Sequence, residues 1–245
     1  MLIKVCLNGA RDSVEHPALP ITPTDLAAAA QAAVAAGAGA IHMHPRDRHG
    51  AQSLASDVIG AAVVAVRTAC AGVPVGVSTL YSIVPDPAQR AAIVAGWSER
   101  PDFASVNFGE PGTAELCSAL QAIGVGIEAG LDTPEAAERY VYSTVFGACV
   151  RVLIEPSEPG MDLAAELATV AAIEAVLDQA GDTTPRLLHG EGATAWALID
   201  AAIARGYDTR IGLEDVLFMP DGAIAADNAA LVAAAVLRTK ETELH

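Results

Sequence analysis

The chain has 245 residues, 52% of them hydrophobic and 4% aromatic, with 30 acidic side chains against 14 basic ones and a formal net charge of −16. That much apolar side chain excludes an intrinsically disordered chain. The carboxylate excess, with no basic stripe, argues against binding a phosphate backbone, so no nucleic-acid partner is expected.

Short β-branched runs alternate with long alanine-rich runs along the whole chain. The predicted strands are Leu2–Leu7, Ala40–Met43, Pro74–Ser78, Phe103–Asn107, Val125–Glu128, Val150–Ile154, Arg186–His189 and Arg210–Leu213. Helices are predicted to begin near Thr24, Ser56, Asp86, Thr113, Pro134, Met161, Ala193 and Asp227. Thr22-Pro23-Thr24-Asp25 has a hydroxyl cap, Pro at the first helical position and an acid at the third. Thr133-Pro134-Glu135 repeats the device before the fifth helix. Strict alternation implies parallel strands joined by helical crossovers. Eight such units fit one (βα)8 barrel domain over residues 1–245, near the roughly 250 residues usual for that fold. An open dinucleotide-binding sheet is disfavoured, because Asn8-Gly9-Ala10-Arg11 is not its glycine fingerprint.

The apolar start, Met1 to Leu7, is too short for a signal peptide. The alanine-rich stretch Leu26–Ile41 is interrupted by Gln31, Gly37 and Gly39, so no membrane span is expected. Cys6, Cys70, Cys117 and Cys149 form no Cys-x-x-Cys pair and read as buried free thiols of a cytoplasmic protein.

In β/α barrels the chemistry sits at the carboxyl ends of the strands. Those ends carry Asn8, His42, His44, Ser78, Ser105, Asn107, Glu128, Glu155, His189, Glu214 and Asp215. The sharpest pattern is His42-Met43-His44-Pro45-Arg46-Asp47. Residues i and i+2 of a strand share a face about 6–7 Å apart, so two imidazoles could converge on one divalent ion while Met43 points into the helical layer. Two nitrogen ligands suit zinc, which in catalytic sites takes a third protein ligand and keeps one position open. Strand eight closes beside strand one, so Glu214 could supply that third ligand, or with Asp215 simply cap a turn. On a regular strand Arg210 would lie about 13 Å below Glu214. From there it would reach up to the metal layer, pair with Glu128 or merely fill the lumen. Gly190-Glu191-Gly192-Ala193-Thr194 could cup an anion or form a tight turn. His189 could face the mouth or the core, and His49 reads as a solvated loop residue.

These segments resemble the β-keto acid cleavage enzymes, whose founding activity is 3-keto-5-aminohexanoate cleavage. The likeness runs through Leu19-Pro20-Ile21-Thr22-Pro23, the Ala36–Asp47 stretch, Gly76-Val77-Ser78-Thr79, Pro101–Asn107 and Arg210-Ile211-Gly212-Leu213-Glu214-Asp215. The resemblance implies a zinc-dependent acyltransferase that exchanges acyl groups between a β-keto acid and acetyl-CoA, giving acetoacetate and a new acyl-CoA. By position, His42, His44 and Glu214 match the zinc ligands and Asp215 the catalytic base. Arg210 and Ser78 match its companions, and Glu128 matches the catalytic glutamate, although the family's Glu-x-Glu is reduced here to Ile127-Glu128-Ala129-Gly130. Asn8, Arg11, Ser105 and Asn107 are expected to meet substrate, with Arg11 placed for a distal acid group or the coenzyme. Family likeness also implies a homo-oligomer, and a fourth and fifth unit sparer than in longer members. Two other classes stay open. One is a barrel hydrolase activating water at the His-x-His site, although such enzymes place that pair after strand one. The other is a non-catalytic metal-dependent binder, which would not need Asp215.

Overall fold

The computed structural model describes residues 1–156 and 162–242. Eight strands, β1 (Ile3–Cys6), β2 (Ala40–Met43), β3 (Val75–Ser78), β4 (Phe103–Asn107), β5 (Gly126–Leu131), β6 (Arg151–Ile154), β7 (Arg186–Leu188) and β8 (Thr209–Ile211), alternate with helices. The helices are α1 (Pro23–Ala35), α2 (Ser56–Ala69), α3 (Pro87–Ala95), α4 (Thr113–Ala122), α5 (Pro134–Val141), α6 (Leu163–Gln179), α7 (Ala195–Arg205) and α8 (Asn228–Thr242). All paired strands are parallel, in the order β7-β6-β5-β4-β3-β2-β1-β8. The two ends of that order meet: Leu187 bridges Asp208, the Leu188 N–H donates to the Asp208 carbonyl at 3.0 Å, and the Asp208 N–H donates to the Arg186 carbonyl at 3.0 Å. The result is the eightfold barrel that the alternation predicts.

The period of two along each strand sorts the side chains. Val5, Ile41, Met43, Val75, Val77, Ala104, Val106, Ile127, Ala129, Val152 and Ile154 are buried in the layer between sheet and helices. Each buried Val, Leu or Ile there contributes about 1.5–3 kcal/mol. Alanine supplies much of the helical side of that layer, with Ala30 and Ala33 of α1, Ala62 of α2 and Ala202 of α7 buried. Small side chains let the helices approach the sheet closely, which is how a core with so few aromatic rings closes.

Helix starts follow the local chemistry. Thr22 and Asp25 form a reciprocal capping box with Pro23 at the first position of α1, and Thr133 caps α5 by accepting from the Ala136 N–H. The start expected at Met161 lies outside the described residues; α6 begins at Leu163, capped by Asp162. Beyond β7 the chain makes a 3-10 turn over Gly192–Thr194 before α7. No helix among the described residues is long and apolar enough to cross a membrane. All four cysteines are free, three buried and Cys149 half-buried.

Two strand ends differ from expectation, and both differences bear on function. β5 does not stop at Glu128 but runs on to Leu131, so Glu128 is a mid-strand residue well inside the lumen. β8 stops at Ile211, two residues early. The cause is Gly212, where any Cβ would strike the Cys6 carbonyl. The chain turns there, with the Asp215 and Val216 N–H groups both donating to the Gly212 carbonyl.

Candidate active site

At the C-terminal mouth of the barrel lies a cavity of about 370 Å³, lined by Arg11, Glu15, His42, His44, Ser78, Ser105, Asn107, Glu155, Glu191, Arg210 and Glu214 among others. His42 belongs to β2 and His44 follows it, so both imidazoles enter the lumen from one strand, with ring centroids 5.2 Å apart. The turn at Gly212 swings Glu214 over them. Its Oε1 lies 3.8 Å from His42 Nε2 and 3.5 Å from His44 Nε2. Gly9 makes this approach possible: its φ is +53°, and a Cβ would meet the Glu214 side chain at 2.5 Å.

Local contacts fix the pair of rings. The Asn8 side chain accepts from the His44 N–H at 2.9 Å and donates to the His44 and Pro20 carbonyls. His44 Nδ1 meets Gln52 Oε1 at 2.5 Å, which as a donor–acceptor pair puts the proton on Nδ1 and leaves the Nε2 lone pair facing Glu214. Burial holds the His42 imidazole well below its usual pKa, and so neutral. Against the cost of burial, His44, His42 and Arg210 hold the Glu214 carboxyl well below the carboxylate range.

Arg210 resolves the question left by its spacing. Because β8 ends early, Glu214 and Asp215 fold back over it rather than standing above it. Its Nη2 donates to Asp215 Oδ1 at 2.8 Å and to Glu214 Oε1 at 3.2 Å, and its Nε to Asp215 Oδ1 at 3.1 Å. Asp215 is fully buried behind the cavity wall. Burial pushes its carboxyl up to about 8; Arg210 opposes that shift and Glu214 adds to it.

The chemistry of the donor set fits a divalent ion. His42, His44 and Glu214 bring three ligand atoms within 4.8 Å of one another. His42 Nδ1, Glu214 Oε2 and Asp215 Oδ2 are buried with no hydrogen-bond partner. Orphaned buried polar atoms are costly, and a bound group is one way they are retained. Cys6 also lies in reach of Glu214 and Asp215, but burial raises its thiol pKa well above the usual value. It is therefore a poor thiolate ligand by comparison.

The remaining expectations divide. Ser78, Ser105 and Asn107 line the cavity beside the metal-ligand candidates. Arg11 lines it too, with Nε donating to the Leu213 carbonyl at 2.6 Å and Nη1 to Glu15 at 3.0 Å. Asn8 is fully buried and holds the β2 exit rather than the cavity wall. Glu128 is not brought to the mouth: Lys4 Nζ at 2.6 Å and Arg151 Nη1 at 3.1 Å take its two oxygens, and it is fully buried. Expectation placed it at a strand end, but β5 continues three residues past it. The cavity instead receives Glu155 after β6, hydrogen-bonded through Oε2 to His189 Nε2 at 3.0 Å. Position at a strand end was the signal that could have found both, and nothing in the sequence shows that they touch. Glu191 faces the cavity within the 190–194 turn, which disfavours an anion there.

A (βα)8 barrel with two imidazoles and a carboxylate converging in its mouth, beside a buried aspartate, has the form of a metal-dependent barrel enzyme. The chain belongs to the beta-keto acid cleavage enzyme family, whose model matches residues 1–118 and 127–245. The unmatched residues 119–126 cover the end of α4 and the turn into β5, where the chain is spare.

The fold also matches solved structures of ObcA. The apo form is 16% identical with a TM-score of 0.68, covering 93% of this chain and 62% of that one. A binary complex with oxaloacetate is 16% identical with a TM-score of 0.73, and a ternary complex with a C4-CoA adduct and oxalate is 15% identical with a TM-score of 0.72. In both complexes the coverage is 93% of this chain and 64% of ObcA, so the chain spans less than two thirds of ObcA's length. No curated protein matches the chain.

Proposed function

We propose that the protein is a zinc-dependent β-keto acid cleavage enzyme, exchanging acyl groups between a β-keto acid and acetyl-CoA to give acetoacetate and a new acyl-CoA. The observation that carries the reading is the convergence of His42, His44 and Glu214 beside Asp215. Family membership supports it. So do the ObcA structures, which hold oxaloacetate in one case and a C4-CoA adduct with oxalate in the other.

Two imidazoles and one carboxylate, with room for a further ligand, form a donor set suited to zinc. When bound, the ion would act as a Lewis acid toward the keto and carboxylate oxygens of the substrate. Asp215 takes the proton from the carbon between the two carbonyls. Its Oδ1 is held by Arg210, so Oδ2, which has no partner, is the atom that receives the proton. A carboxyl raised by burial is the stronger base once ionised, and this narrows the gap to a carbon acid. Ser78, Ser105 and Asn107 offer hydrogen bonds to the bound keto acid, and Arg11 meets a distal acid group at the mouth. The four free thiols fit a reducing cytoplasm.

The test is metal analysis of the purified protein together with a panel of β-keto acids, including oxaloacetate and 3-oxoadipate, incubated with acetyl-CoA. About one zinc per chain and acetyl-CoA-dependent acetoacetate are expected. A metal-free protein of full activity, or no acetoacetate from any member of a broad panel, would sink the reading.

A further inference from the structure

The reaction as proposed leaves two buried groups of the cavity without a task. Glu155 follows β6 and His189 follows β7. β6 stands four places from β2 in a barrel of eight, so Glu155 faces the lumen from the side opposite His42 and His44. Its Oε2 accepts from His189 Nε2 at 3.0 Å. Its Oε1 projects into space that only a glycine leaves open, for a Cβ at Gly130 would collide with that oxygen and lie 2.7 Å from Asn107 Oδ1. Burial raises the Glu155 carboxyl above the usual carboxylate range; Arg210 and Lys4 counter this in part, and Glu214 adds to it. Burial likewise holds His189 well below its usual pKa, so the ring is neutral. With Nε2 donating to Glu155, the other ring nitrogen is the unprotonated one. His189 Nδ1 has no hydrogen-bond partner and lies 3.9 Å from Asp215 Oδ1. A neutral, sterically fixed donor holds a carboxylate in place without satisfying it as a counter-ion would, in contrast to the pairing of Glu128.

A keto acid seated against His42, His44 and Glu214 leaves the β6–β7 side of the cavity for the second substrate, and Glu155 is the titratable group lining that side. We propose that Glu155, oriented by His189, is the acid–base residue for the coenzyme thiol. This deepens the acyl-exchange reading and rests on it. In the first half-reaction the carbanion adds to the thioester carbonyl and the C–S bond breaks. The electron pair goes to sulfur, which takes the proton from the Glu155 carboxyl. In the second half-reaction the Glu155 carboxylate takes the S–H proton as sulfur bonds to the original keto carbon. The carbon–carbon bond then breaks, its electron pair goes to the departing acetoacetate carbon, and that carbon recovers the proton from Asp215. No proton or electron is left over. Glu155 is a catalytic residue in this scheme and His189 a positioning residue.

The experiment uses the zinc-loaded protein with acetoacetate and trideuterated acetyl-CoA. Label appearing in acetoacetate reports the whole exchange. Enzyme-dependent deuterium uptake at the central carbon of acetoacetate in heavy water, without coenzyme, reports the Asp215 step alone. Glu155→Gln is expected to slow label exchange about 10²–10⁴-fold, the range of a lost general acid–base residue, and to keep proton exchange and zinc content near wild type. His189→Leu should slow label exchange in the same direction, and His189→Gln, whose amide can still donate to Glu155, should restore most of it. Label exchange near wild type in Glu155→Gln, or both exchanges falling together, overturns the proposal. So does a His189→Gln variant no better than His189→Leu, since that reduces the pair to structure. Wild-type protein with neither exchange removes the acyl-exchange reading itself, an outcome distinct from these.

Discussion

Two charged clusters sit at different depths in the lumen of the same barrel. In the deeper one, Lys4 and Arg151 close on both oxygens of Glu128, and Lys4 Nζ also lies 5.7 Å over the Phe103 ring. Lys4 and Glu128 are fully buried, and no oxygen of that carboxylate is left to meet a ligand. In the cluster at the mouth, Arg210, Glu214, Asp215, His42 and His44 are equally buried or nearly so, yet an atom of each of four side chains there, His42, His189, Glu214 and Asp215, has no partner. Both clusters are built from strand residues of the same period. Burial and charge alone therefore do not mark a site. What separates them is whether the hydrogen-bonding and ligand capacity has been used up within the protein, because a buried polar atom left unpaired is destabilising unless something completes it.

The sharpest way to break this contrast is to exchange the roles of the two carboxylates. Asp215→Asn should lower turnover about 10²–10⁴-fold, the usual range for a general base, with zinc content and thermal midpoint close to wild type. If activity survives, the open cluster does not hold the base. Glu128→Ala should behave in the opposite way. Removing one partner of a buried ion pair costs about 3–5 kcal/mol, read as a fall in denaturation midpoint, while the Michaelis constant of the remaining folded enzyme stays unchanged. A Glu128→Ala protein that is stable but inactive would return that residue to the catalytic role expected from sequence.

Smaller effects sharpen the same picture. Gln52→Leu removes the partner of His44 Nδ1. It should weaken zinc binding about 10- to 100-fold, as loss of an outer partner of a ligating histidine does, measured by competition with a chromophoric chelator. Unchanged affinity would mean that the ring is held by Asn8 and packing alone. Thr22→Ala, which deletes the capping box of α1 far from either cluster, should cost about 1 kcal/mol of stability and leave zinc affinity and turnover untouched. A loss of activity there would show that the outer helices communicate with the mouth.

Much of this arrangement was legible beforehand. The eight strand–helix repeats, the capping of α1, the outward face of Met43 and the approach of Glu214 to His42 and His44 all follow from periodicity and barrel closure, which are local or topological rules. Three features were not. Glu128 looked like a strand end because Gly130 follows it closely. β5 runs through that glycine because Glu155 and Asn107 occupy the space where its side chain would be. Arg210 was placed too low because a regular strand was assumed through Leu213, whereas contact between Gly212 and the Cys6 carbonyl ends β8 early. The Glu155–His189 contact joins residues 34 positions apart on two neighbouring strands, and no spacing rule relates their side chains.

Periodicity and residue chemistry thus determined the barrel, the strand ends that carry polar groups, and the pairing of two histidines with a distant glutamate, because each depends only on alternation along a strand and on which strands are neighbours. Tertiary structure alone decided which carboxylates are spent on internal ion pairs and which stay open to a ligand. That choice turns on where a strand stops, and here strand length is set by contacts at Gly130 and Gly212 with residues far away in the chain.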